Sequence, residues 1–199
     1  MPAAALALAY LADDLALVPR LAMTSVDEGA VQGQDIWALR VRLQMEDRVR
    51  ELALFNLGID SKLRGCDLVS LEVRDICHGD QVASRAVVMQ HKTQRPVQFE
   101  ITPATRDAVQ KWIRQVGLRS DDLLFPSRIH DSPHLGTRQY ARILEGWAEE
   151  LGLDLADYGT HSMRRTKATL IYRRTKNLPC CSVAARPFEA ELCPVPNYV

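Results

Sequence analysis

The sequence has no excess of charge of either sign: 25 Lys and Arg stand against 25 Asp and Glu. Binding through overall basicity is therefore excluded, and any nucleic-acid contact must rest on local clusters. Cysteine is scarce, odd in number at five, and never spaced Cys-x-x-Cys. That argues against a disulfide framework and against a zinc site of that type, and it fits a reducing, cytoplasmic setting. Long hydrophobic runs are missing as well. The opening "MPAAALALAYLADDLALVPRLA" is apolar, but it lacks a positive start and is interrupted by Asp13 and Asp14. It reads neither as a signal peptide nor as a membrane span. A short helix and a loose leader stay open for residues 1–33. No internal repeat is found.

What is present suits one domain: 199 residues, 47% of them hydrophobic, enough to bury a core. In "DIWALRVRLQMEDRVRELALFNLGIDSKLRGCDLVSL", Ile36, Leu39, Val41, Leu43, Val49, Leu52, Leu54 and Phe55 recur at helical spacing. The pattern predicts two helices broken near residues 45–47, with Asp35 capping the first and Gly58 and Gly65 near turns or helix ends. Cys66 and Cys77 fall in runs that look core-forming. Between residues 69 and 102, "LVSLEVRDI", "SRAVVMQHKT" and "RPVQFEIT" are short, β-branched and separated by turns, which predicts a small antiparallel sheet. Thr102 and Pro103 then open another helix. "LLFPSRIHDSPHLG" reads as a loop. "TRQYARILEGWAEELGL" is a helix with Tyr140, Ile143, Leu144 and Trp147 on one side, and "THSMRRTKATLIYRRTKNL" is a last one. The expected fold class is mainly α with a small antiparallel β-sheet (α+β).

Residues 158–178 contain Arg164, Arg165, Lys167, Arg173, Arg174 and Lys176 and no Asp or Glu. A wholly cationic helix in a neutral chain is either a phosphate-binding face or a solvated surface. His161 and Arg164, three apart, share a face of such a helix.

Three segments in order, "DSKLRGCDLVSLEV", "QHKTQRPVQFEIT" and "THSMRRTKATLIYRRTKNL", resemble the catalytic domain of the tyrosine recombinases, the phage-integrase family. The resemblance covers residues 34–178. It implies the DNA breaking-rejoining fold, double-stranded DNA and other recombinase protomers as partners, and no membrane, metal or cofactor. It also implies Arg64 as the first catalytic arginine, Lys92 as the hairpin lysine, and His161 with Arg164 as the His-x-x-Arg pair. The chemistry suits these residue types. Two guanidiniums bind the non-bridging oxygens of a phosphodiester by forked, charge-assisted bonds and stabilise charge in the transition state. A lysine on a hairpin can protonate the leaving 5′-oxygen, and His161 would orient the nucleophile or exchange its proton. Through "GTRQYARIL", the resemblance adds Arg138 and Arg142 as DNA contacts, beside Arg165 and Lys167. Each has a plainer reading. Arg64 could cap a helix C-terminus, Lys92 could be a turn lysine whose register slips, His161 could be a buried histidine on a backbone carbonyl, and Arg138 and Arg142 could be solvated. His91 reads as a surface residue.

Members of the family should continue with something like "RAVQLLLGHSKL" and then "RYL", which carries the nucleophilic tyrosine. This chain continues "PCCSVAARPFEAELCPVPNYV". Codons for "PCCSVAARPFEA", read one base later, are compatible with the expected run at each position, and Arg-Tyr-Leu fits across Pro194 to Asn197. The expectation is an extra base at or just after the Leu178 codon, leaving an incomplete catalytic domain over 34–178 and an unstructured, out-of-frame tail over 179–199. Tyr198 in "VPNYV" lacks the Arg-Tyr pattern and Tyr172 lies inside a helix, so no nucleophile is assigned. Two functions follow: a truncated strand-transfer domain, or a non-catalytic DNA-binding or interaction protein such as an inhibitor of an intact recombinase.

Overall fold

The computed structural model describes residues 33–128 and 132–153, together with Met163, Thr166 and Lys167. The expected leader up to residue 32 and the tail lie outside the described residues, as do His161, Arg164 and Arg165.

Helix α1 (Gly33–Met45) and helix α2 (Val49–Ser61) are separated at the expected place. Asp47 there adopts a left-handed backbone, φ 51°. Asp35 lies in the first turn of α1 rather than ahead of it, where its charge faces the positive end of the helix dipole. Helix α2 is buried nearly all round and is the central element. Leu54, Leu57 and Phe55 are almost completely buried, and the helix packs along α5 (Pro103–Val116) while touching α1 and strand β4 (Pro96–Glu100). Each such leucine stabilises the fold by about 2 kcal/mol through burial.

Two short helices follow, α3 (Gly65–Val69) and α4 (Val73–Ile76). The strand expected from "LVSLEVRDI" is therefore a correction: this stretch is helical on both sides of Leu71. Glu72 and Asp75 supply the reason. Each side chain accepts the other residue's backbone N–H, a reciprocal capping box that offers this β-branched sequence a helical start. Glu72 makes only an isolated bridge to Leu123.

The expected single sheet is two separate antiparallel pairs. Strand β1 (Cys77–His78) pairs with β2 (Gln81–Val82), and β3 (Arg85–Met89) pairs with β4 in the register Arg85 to Glu100 through Met89 to Pro96. Along β3 the residues alternate, with Ala86 and Val88 inward and Arg85, Val87 and Met89 outward. Cys66 is exposed and Cys77 half-buried, so neither is a full core residue; burial pushes the Cys77 thiol pKa up. Thr102 takes the cap position before α5, with Pro103 opening the helix, yet its hydroxyl does not cap. It donates instead to Asp60 Oδ2, at 2.8 Å.

Helix α6 (Thr137–Glu150) buries Tyr140, Leu144 and Trp147 as its periodicity predicts, and burial raises the Tyr140 phenol pKa. Trp147 meets Phe55 edge-on at 5.3 Å between ring centroids and donates its indole N–H to Glu51 at 2.9 Å. Arg48 joins the same corner by donating to both Glu51 and Glu150. Among the described residues no helix is long and apolar enough to cross a membrane.

Gly58 lies in the last turn of α2, near the helix end as expected. A Cβ placed there would stand 3.3 Å from Leu68 Cδ2, 3.3 Å from Tyr140 Oη and 3.4 Å from Met163 Cε. The glycine therefore lets α3, α6 and Met163 close on α2. Gly58→Val should destabilise the protein by about 1–3 kcal/mol through overpacking, read from the urea midpoint. A variant as stable as the parent would refute this account of the glycine.

Candidate active site

Arg64 owes its position to the end of α2. Lys62 turns left-handed at φ 54°, Leu63 is buried, and Arg64 follows in extended conformation as the residue capping α3. Its half-buried guanidinium donates from Nη1 to Gln90 Oε1 at 2.9 Å. Gln90 is the first residue of the tight turn joining β3 to β4, and Lys92 is exposed on that turn.

The turn is a built structure. Gln90 N–H donates to Arg95 O at 3.0 Å, and Gln94, at φ 50°, donates its N–H to Gln90 O at 2.9 Å. Thr93 Oγ1 donates to Gln90 Oε1 at 2.8 Å, and Gln94 Nε2 to His91 O at 2.8 Å. Helix α3 holds the turn from below. His91 N–H donates to Asp67 Oδ1 at 3.0 Å, and the His91 ring is hydrogen-bonded through Nε2 to Ser70 Oγ at 3.0 Å. Arg64, Asp67 and Ser70, spaced by three, present one face of that short helix to the turn. His91, exposed as expected, is thus also an anchor.

Two of the sequence-derived catalytic residues, Arg64 and Lys92, are brought to the same place. Arg138 and Arg142 are exposed on α6, four apart, and α6 packs against α3. Lys167 differs from expectation. Its ammonium lies 2.9 Å from Asp60 O, 3.5 Å from Asp60 Oδ1 and 3.3 Å from Glu100 O, facing inward. An ammonium has three donors, and these three acceptors account for them. Lys167 therefore ties its segment to Asp60 of α2 and Glu100 of β4 in this structure. Among the described residues no three His, Cys, Asp or Glu cluster as metal ligands.

Sequence reasoning missed Gln90, Asp67, Ser70 and Asp60. For Gln90 a signal existed: the inward phase of β3, Ala86 then Val88, continues onto residue 90, and a polar residue at an inward position requires a partner. Asp60 is a carboxylate amid the apolar run of α2, which carries the same message.

Residues 37–180 match the model of the Phage integrase family. The chain belongs to the phage integrase family. Its fold is that of the tyrosine recombinase catalytic domain. This integrase-family chain is 27% identical over 129 residues to the probable integrase/recombinase YoeC of Bacillus subtilis (strain 168), over 65% of this chain and 66% of that protein. Its fold is similar to the XerH site-specific recombinase in a pre-cleavage complex with its difH substrate, with TM-score 0.65, 13% identity, and coverage of 89% of this chain and 52% of that one. It is also similar to XerA recombinase, with TM-score 0.64, 16% identity, and coverage of 91% and 64%. The chain thus spans about half to two-thirds of the length of these relatives.

Proposed function

We propose that this chain is the phosphate-binding part of a DNA strand-transfer domain for site-specific recombination, acting on double-stranded DNA beside other recombinase protomers in the cytoplasm. The observation that carries the reading is the single side chain, Gln90, joining the Arg64 guanidinium to the turn that bears Lys92. A half-buried guanidinium and an exposed ammonium on an adjoining turn form a preorganised anion site. In this reading Arg64 and Arg164 bind the non-bridging oxygens, Lys92 protonates the departing 5′-oxygen, and His161 handles the nucleophile's proton. Arg138, Arg142 and Arg165 touch flanking phosphates, and Lys167 is left to the fold. The reaction would be attack of a tyrosine oxygen on phosphorus, forming a 3′-phosphotyrosyl bond and releasing a 5′-hydroxyl.

The assigned set contains no nucleophile of this chain's own. The family match over 37–180 supports a catalytic region reaching the point where the reading frame is inferred to change. Arg64→Ala should weaken duplex binding and lower the dependence of log K on log salt by about one unit, measured by anisotropy titration across salt concentrations. An unchanged slope would remove Arg64 from the phosphate site. Binding without a covalent adduct on a suicide duplex is the outcome expected of the chain as it stands. It also fits the inhibitor reading, which a competition assay with an intact recombinase would distinguish.

A further inference from the structure

We propose that Gln90 is a positioning residue that couples Arg64 to the Lys92 turn, fixing both cations relative to one bound phosphate; the inference rests on the phosphate-site reading above. Gln90 is 6% exposed, and its side-chain carbonyl oxygen receives both Arg64 Nη1, at 2.9 Å, and Thr93 Oγ1, at 2.8 Å. Its backbone closes the same turn at both groups, N–H to Arg95 O and carbonyl from Gln94 N–H. One residue therefore sets the conformation of the turn and holds the guanidinium.

The amide suits this task better than a carboxylate. A guanidinium has five N–H donors, so one bond to Gln90 orients the group and leaves the others for a phosphate. A neutral acceptor does so without cancelling the charge that a phosphate would meet. A glutamate at this position would orient Arg64 equally well but neutralise it. Movement of the Lys92 turn reaches Arg64 through a bond to a buried side chain, where an unmade hydrogen bond is costly. The turn and the arginine are thus held as a unit. Asp67 and Ser70 restrain the turn through His91, whereas the hydrogen bond of the guanidinium goes to Gln90, so the coupling role falls to Gln90.

The test uses the full chain and a fluorescein-labelled random-sequence duplex. Gln90→Met, which keeps length and removes the acceptor, should bind about five- to tenfold more weakly and lose about one unit of salt slope. In an Arg64→Ala background the same change should add less than about twofold, because coupled residues are non-additive. Gln90→Glu should also weaken binding while keeping the turn closed. A DNA-free measurement accompanies these: amide exchange at Gln94 should rise about threefold or more in both Gln90→Met and Arg64→Ala, and stay at the parent value in Gln90→Glu. Parent-like affinity and slope in Gln90→Met, or fully multiplicative losses in the double variant, would overturn the proposal. If the parent shows no salt-dependent DNA binding, the functional reading fails by itself. The exchange data still decide the coupling, since unchanged Gln94 exchange in both single variants overturns it.

Discussion

Asp60→Ala should destabilise this protein by about 3–5 kcal/mol, enough to unfold a marginal domain. The carboxylate is 4% exposed at the C-terminal end of α2. Its Oδ2 accepts Thr102 N–H at 2.9 Å, Thr102 Oγ1 at 2.8 Å and Thr105 Oγ1 at 2.6 Å. Its Oδ1 faces the Lys167 ammonium at 3.5 Å. The charge reaches further: burial lowers the pKa of Arg40, and the attraction of Asp60 opposes that shift. Truncation would strand two of the three donors, since one threonine hydroxyl can turn to the other at 2.9 Å, and would remove the counter-charge of a largely buried lysine, which is costlier than losing the pair to matched apolar groups. Asp60→Asn keeps the shape and most acceptor capacity, so roughly half the loss is expected from the missing charge. Urea denaturation of the three proteins measures both. A loss under about 1 kcal/mol for the alanine variant would mean that the cluster is solvated in solution.

The second large effect concerns the coding sequence. Deleting one base at or just after codon 178 should convert a chain that forms no covalent DNA adduct into one that does. The restored frame would supply a Gly-His pair followed by Arg-Tyr-Leu, and strand cleavage needs nucleophile and phosphate-binding groups together. Removing one member of such a unit costs about as much as removing them all, so the gain should exceed about a thousandfold. Adducts on a suicide substrate, resolved on denaturing gels, give the readout. Changing the restored tyrosine to phenylalanine should abolish them. The frame argument fails if the chain as printed makes adducts and Tyr198→Phe removes them.

Periodicity carried the helices because their apolar faces are wide and regular: the break between α1 and α2 and the buried face of α6 were both legible. It failed over "LVSLEVRDI", where β-branched composition favoured a strand while the Glu72–Asp75 capping box, a local side-chain contact, stabilised a helix. It did not show why Gly58 must be glycine, because a glycine needed for close approach looks the same in sequence as one needed for a turn. The family resemblance singled out Arg64 and Lys92 but said nothing of Gln90, whose bond to Arg64 arises from a pairing between the start of α3 and the β3–β4 turn. Lys167 is a related case. A cationic run states the charge of a segment but not which member turns inward, and that was decided by Asp60 more than a hundred residues earlier.

The partners of Asp60 are delivered by synthesis in two instalments. Thr102 and Thr105 follow it by 42 and 45 residues, whereas Lys167 follows by 107. On a ribosome the hydroxyl half of the cluster can assemble once α5 has emerged, before the counter-ion has left the exit tunnel. During that interval the nascent domain holds a carboxylate for which full burial is unfavourable without its cation. The C-terminal end of α2 is then kept from drying completely until Lys167 arrives. Completion of the core is tied to arrival of Lys167, as expected where long-range contacts close last.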